Sequence, residues 1–273
     1  MREITLEELL EAGCHFGHQV TRSNPKARDF IFEARDNIHI IDLAKTKQGL
    51  QEAAFFVRDL ASRPGASMIV VGTKRQAKPI VEEALGLGGE GLFHITNRWV
   101  GGLLTNFSEV SKNFKKLEEL TLNVKNPELK TKYTKKEIGL WEKERQKLER
   151  FYGGIARLDK KPDALFIIDS HLEDLAVREA LKTGVKTIAL VDTNADPNVI
   201  DYPIPANDDA VGSLKLIISY IIDAWIEGRK EAGERIKNEE LRVKNEAEKA
   251  AKKSEKASKT EVKAKKSKTK SKK

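Results

Sequence analysis

Along the chain, short uninterrupted apolar runs alternate with stretches whose apolar residues return every three or four positions. The runs are "SMIVVG" (67–72), "LFHI" (92–95), "ALFIID" (164–169) and "KTIALV" (186–191). Each has the length of a strand and no alternation, the pattern of strands covered on both faces. Between them, Lys45 to Ser62, Arg75 to Leu85 and Leu172 to Lys182 have helical spacing, the last followed by Gly184 as a helix terminator. Strand and helix in alternation predict a parallel sheet with helices on both faces. A shorter fifth strand passes through "DYPIP", where Pro203 and Pro205 confine it to an edge.

Between Asn106 and Leu158 the period changes. Phe107, Val110, Phe114, Leu117, Thr121 and Val124 form one stripe; Ile138, Trp141, Arg145, Leu148, Tyr152 and Ile155 form a second. A Pro- and Lys-containing segment joins them, so an antiparallel helical hairpin inserted into the sheet domain is expected. After Gly228 the apolar content collapses into Lys, Glu, Ala and Ser, which cannot bury enough area to offset the entropy of ordering, and a largely disordered tail is expected. The resulting divisions are a sheet domain of 1–105 and 159–228, a hairpin of 106–158 and a Lys-rich tail of 229–273.

Charge sharpens this division. The 273 residues carry a formal +8, but 229–273 holds 18 basic and 8 acidic residues, leaving 32 and 34 before it. The high pI therefore says little about the folded body, and a polyanion-binding face has to show as local clusters. A single cysteine, Cys14, permits no internal disulfide and fits a reducing compartment. The start lacks the basic-then-apolar pattern of a secretory signal, and "LKLIISYIIDAWI" is too short and too charged to span a bilayer. A cytoplasmic protein with no membrane contact is expected.

Chemistry in an open parallel sheet belongs in the loops after its strands, here "GTKRQAK", "DSHLED", "DTNADPN" and "NDDA". The first leaves a strand for a helix start, where a phosphate can be held, yet it lacks the spaced glycines of a dinucleotide or P-loop site. Asp169, His171 and Asp192 are candidates for acid-base work in the same crevice, with no serine elbow or cofactor loop beside them. His15 and His18 near Cys14 do not reach a zinc pattern. His18 with Asp192, Asp208 and Asp209 remains a candidate ion site, its metal unknown. A sugar-phosphate or nucleotide enzyme using this crevice is the alternative function.

Basic clusters recur at loops and helix entrances: Arg22, Lys26 and Arg28; Lys74, Arg75 and Lys78; Arg98 beside Trp99; and Lys112, Lys115 and Lys116 on the hairpin's first arm. Several such clusters on a near-neutral body suit the sugar-phosphate backbone of a folded RNA better than turnover. Trp99 has two readings, a core ring packed near Gly101 and Gly102 or a platform for a base.

The motifs "AGCHFGHQ", "NPKARDFIF", "IHIIDLAKT", "VGTKRQA", "NRWVGGLLTN", "YGGI", "KPDALFIID", "VDTNADP" and "IPANDDA", in this order, resemble the bacterial small-subunit ribosomal protein S2 family from about residue 1 to 228. The resemblance implies a flavodoxin-like or Rossmann-like sheet with an inserted coiled-coil hairpin, no catalysis and no cofactor. It further implies ribosome association, small-subunit ribosomal RNA and neighbouring subunit proteins as partners, and a role in retaining the largest small-subunit protein, an OB-fold-repeat protein that captures messenger RNA. Arg22 to Arg28, Lys74 to Lys78, Arg98 with Trp99, and the hairpin's first arm become the expected RNA-facing positions.

Overall fold

The computed structural model describes residues 2–126, 129 and 132–234. The chain divides into two units, 1–228 and 229–273. In the second, the described residues 229–234 are helical, and the expectation of a disordered tail from 235 onward falls outside the described residues.

The first unit opens with helix α1 (Leu6–Glu11), started by a capping box in which Thr5 and Glu8 exchange side-chain and backbone hydrogen bonds. Strands β1 (Phe16–Gln19), β2 (Ile31–Arg35) and β3 (Ile38–Ile41) then form a small antiparallel sheet in the order β1-β3-β2. β2 and β3 are joined by Asp36 and Asn37, both at positive φ, the two-residue turn that matches strand twist. Helix α2 (Leu43–Ala61) follows, capped by the Asp42 carboxylate.

The main sheet contains β4 (Met68–Val71), β5 (Leu92–Ile95), β6 (Ala164–Ile167), β7 (Lys186–Val191) and β8 (Tyr202–Pro205). All pairings are parallel and the order is β5-β4-β6-β7-β8. This is the doubly wound arrangement expected from the apolar runs, with proline-bearing β8 at the edge. Helices α3 (Ala77–Gly88), α4 (Phe107–Lys125), α5 (Lys135–Tyr152), α6 (Asp174–Thr183) and α7, helical from 211 through 228 in this unit, complete it.

The absence of alternation in the strands has a direct cause: each buries both faces. Met68, Val70, Phe166, Ile188, Leu190 and Ile204 meet α2, α3 and α7, through residues such as Leu50, Val81, Ile218 and Trp225. Ile69, Val71, Leu165, Ile167, Ala189 and Val191 meet α6 and a cluster holding Trp99, Leu103, Val110, Phe114 and Ile155. Burying a Leu, Ile or Phe contributes about 1.5–3 kcal/mol against full exposure, so the two layers are the main source of stability.

α4 and α5 pack on each other. Phe114 meets Tyr152 edge-on with ring centroids 5.7 Å apart, Asn113 donates to the Tyr152 hydroxyl at 3.3 Å, and Lys116 pairs with Glu144. On α4 the buried stripe is Val110, Phe114, Leu117 and Leu120, so the last inward position is Leu120 and not Thr121; no residue of α5 is fully buried.

Candidate functional site at the carboxyl ends of the sheet strands

Because the five strands are parallel, the loops that follow them emerge at one end of the sheet. In the order β5-β4-β6 the chain direction of the connections reverses between β4 and β6, which is where open α/β sheets bind ligands. Here that point is occupied by protein charges. Lys74, just after β4, turns its ammonium between Asp169 at 2.9 Å, Asp208 at 2.8 Å and Asp209 at 2.9 Å. Its side chain is 14% exposed. Burial alone would lower the lysine's pKa, but hydrogen bonds and charges from Asp208, Asp209 and Asp169 outweigh it and raise it.

Asp169 holds this position with a non-glycine backbone at φ 84°, and its other oxygen accepts from the N–H groups of His171 and Leu172, both at 2.9 Å. Such backbone strain costs on the order of 1–3 kcal/mol and persists only where the surroundings over-determine it. Asp208 is buried, and burial together with the charges of Asp169 and Asp192 pushes its carboxyl up to about 7. Next to it, His18 Nδ1 lies 3.1 Å from Asp192 and Nε2 3.7 Å from Asp209; the Asp192 hydrogen bond raises the imidazole pKa. Beneath, the Thr73 hydroxyl hydrogen-bonds buried Glu173, whose pKa is raised by burial.

Four carboxylates therefore surround one lysine and one histidine. One ligand atom from each of His18, Asp208 and Asp209 lies within 4.8 Å of the others, a mixed nitrogen and oxygen set able to hold a cation, whereas Asp192 is committed to His18 and Thr193. For a phosphate the arrangement is wrong. Lys74, expected to face RNA and offered as the anchor of a sugar-phosphate site, is instead neutralised by three acids, and a fourth anion would meet repulsion. Nor do Asp169, His171 and Asp192 converge: the first binds Lys74, the third binds His18, and His171 is exposed.

Around this crevice the expected basic positions differ from one another. Arg22 lies in a 3-10 turn (Val20–Arg22) and Arg28 in a second (Pro25–Phe30). That segment is fastened to the loop after β7 by Asn24 N–H on Thr193 O at 2.7 Å and by Lys26 on Asp196 at 2.5 Å. Arg75 follows β4 and Arg98 follows β5. Arg22, Arg28, Arg75 and Arg98 are exposed and make no ion pair among the described residues. Lys78 is half-buried and donates to Asn97 at 3.0 Å. On α4, Lys112 pairs with Glu109 at 2.8 Å and Lys116 with Glu144, while Lys115 is exposed with no acidic partner among the described residues.

Trp99 takes the core reading. It is 4% exposed, packs with Leu103, Leu104 and Ile155, and donates its indole N–H to Glu179 at 3.2 Å, so no face is presented to a base. The neighbouring glycines divide their roles. Gly102 is required by its backbone at φ +90°, whereas a Cβ on Gly101 would meet only ordinary contacts at 3.5 Å.

Glu179 and Glu173 escaped the motif reading. The available signal was an acid among Ala176, Val177 and Ala180 on the inward side of a helical stripe, since a buried carboxylate needs partners.

Fold and site together define a doubly wound α/β scaffold whose ligand crevice is filled by its own ion pairs and whose strand-end loops carry exposed arginines. Comparison with known proteins agrees with that class. The family model for ribosomal protein S2 matches residues 9–228. The chain is 46% identical to small ribosomal subunit protein uS2 of Geotalea uraniireducens (strain Rf4) over 239 residues, 88% of this chain and 92% of the relative. It is 47% identical to the uS2 protein of Coprothermobacter proteolyticus (strain ATCC 35245 / DSM 5265 / OCM 4 / BT) over 231 residues, 84% of each. The chain belongs to the ribosomal protein S2 family, a family of structural ribosomal proteins and not of enzymes.

Proposed function

We propose that this chain is a structural constituent of the small ribosomal subunit that binds ribosomal RNA through the loops at the carboxyl ends of its strands. One observation carries the reading: Arg75 follows β4, Arg98 follows β5, and Arg22 and Arg28 lie on the β1–β2 connection fastened to the loop after β7, all four exposed and none spent on an internal ion pair among the described residues. Arginine offers a planar fork of donors that matches phosphate, and loops fixed by a rigid sheet can follow a folded backbone without reading bases. Lys26, Lys112 and Lys116 add exposed cations whose surface pairs are weak enough for phosphate to compete.

The residues 106–158 act as a hairpin arm on this scaffold, with Lys115 an exposed cation that has no acidic partner among the described residues. The small sheet offers a second kind of surface. Phe32 is 71% exposed, and Phe16 and Ile38 of the same sheet are exposed too, an apolar set that suits a protein neighbour. The family resemblance makes the large mRNA-capturing protein of the small subunit the natural occupant.

The test is cosedimentation of the tagged full chain with small subunits, beside a variant carrying Arg22→Glu, Arg28→Glu, Arg75→Glu and Arg98→Glu. Exposed charges contribute little to folding, so the variant should melt with the parent while its subunit-bound fraction falls by roughly tenfold or more, given about 1 kcal/mol or more for each phosphate contact reversed. Normal incorporation of the variant would remove this face from the interface.

A further inference from the structure

From the end of β5 to the start of α4 the chain crosses residues 96–106 in turns, with no strand or long helix to hold it. One carboxylate organises its centre. Glu179 on α6, 5% exposed, accepts at Oε1 from the Trp99 indole N–H at 3.2 Å and the Gly102 N–H at 2.7 Å. At Oε2 it accepts from Leu104 N–H at 3.1 Å, Thr105 N–H at 3.3 Å and the Thr105 hydroxyl at 3.2 Å. Five donors thus converge on one buried acid, and no cation is paired with it among the described residues.

An apolar side chain would suit the surroundings of Ala176, Val177 and Ala180 at lower cost, since desolvating a carboxylate is expensive unless hydrogen bonds replace its water. What the acid adds is geometry. Its ribbon begins one residue after Arg98 and ends two residues before α4, so fixing it fixes both the arginine and the root of the arm. We propose that Glu179 is a positioning residue: its carboxylate holds the 99–105 ribbon in one conformation and thereby presents Arg98 to an RNA phosphate. This rests on the reading that Arg98 contacts RNA.

The experiment is a double-mutant cycle on the full chain. Affinity for deproteinised small-subunit ribosomal RNA is measured at one fixed salt for the parent, Glu179→Gln, Arg98→Ala and the double variant. Amide exchange is followed at Gly102, Leu104 and Thr105. Glutamine keeps the shape and turns one acceptor into a donor facing donors. Exchange at the three amides should quicken by about tenfold or more as the ribbon opens locally. RNA affinity should fall roughly tenfold in the Arg98 background and less than about twofold in the Arg98→Ala background, because neighbours acting through one contact are not additive.

Equal weakening in both backgrounds would mean general damage and overturn the proposal, as would unchanged affinity with loosened amides. If Glu179→Gln does not fold, Thr105→Val, which removes one hydroxyl donor, replaces it in the same cycle and should show the same coupling in weaker form. If Arg98→Ala alone binds like the parent, the RNA role of Arg98 falls, and with it the presenting role of Glu179; the exchange rates then still report separately whether the acid orders the ribbon.

Discussion

Lys74 shows how a residue type alone misleads. A lysine after a strand of an open α/β sheet invites a phosphate, yet here it closes the crevice by binding Asp169, Asp208 and Asp209. Removing it strands Asp169 and Asp208, which are buried from water, while Asp209 is exposed. Lys74→Met should therefore destabilise the fold by about 3–5 kcal/mol at pH 8, the cost of breaking a buried pair from one side. The loss should shrink at pH 6. Asp208 already titrates at about 7 with the lysine present, well above its ordinary value. A carboxyl raised in the folded state binds a proton that the unfolded chain lacks, so its contribution favours folding below about 7 and is lost as pH rises through that value. Urea midpoints of parent and variant at the two pH values check this, and an equal loss at both would refute it. Glu179 has the opposite sign. Burial raises its pKa, but the bonds from Gly102, Trp99, Leu104 and Thr105 win and lower it. Its share of stability is present above the ordinary glutamate value and disappears as pH falls through the lowered one.

At the scale of elements, α4 and α5 meet the core of the scaffold near the start of the first and the end of the second. Val110 and Phe114 enter the same core cluster as Trp99, Leu103 and Ile155, and Tyr152 packs against that cluster. Farther out, Leu122 and Leu140 are exposed. Excising residues 119–141 and closing the helices with a short Gly-Asn turn should leave the sheet intact, with a melting shift within about 4 °C, or about 1 kcal/mol for a chain of this size. Loss of the cooperative transition by circular dichroism would show that the outer arm supports the fold. The sequence pattern made the large sheet visible because Met68–Val71 or Ala164–Ile167 can only be so apolar if both faces are covered. It left the small sheet unseen. β2 and β3 are bulged, Phe32 faces out, and the strands are too short for alternation to register; only Asp36-Asn37 between two apolar stretches betrayed a hairpin. Site residues divided the same way. That the four arginines are exposed follows from their place in polar loops, whereas the fates of Lys74 and Trp99 depended on Asp208, Asp209 and Glu179, acids more than a hundred, or some eighty, positions away.

For the whole molecule, the distribution of charge matters more than its total. The segment 235–273 carries 16 basic and 6 acidic residues, more than the entire net +8. No helix among the described residues is long and apolar enough to cross a membrane. Recognition assigned to the strand-end arginines and nonspecific attraction assigned to the terminal lysines are separable, because the first depends on placement and the second only on counterion release. Deleting 235–273 should weaken binding to an arbitrary RNA and flatten its dependence on salt, each lost phosphate contact taking roughly 0.7–0.9 from the log-log slope. Cosedimentation with small subunits should persist, since the four arginines and their scaffold remain. If the truncated chain kept the full salt slope, the lysines would not be engaging phosphate. If it left the subunits altogether, the folded body would not be the unit that recognises them.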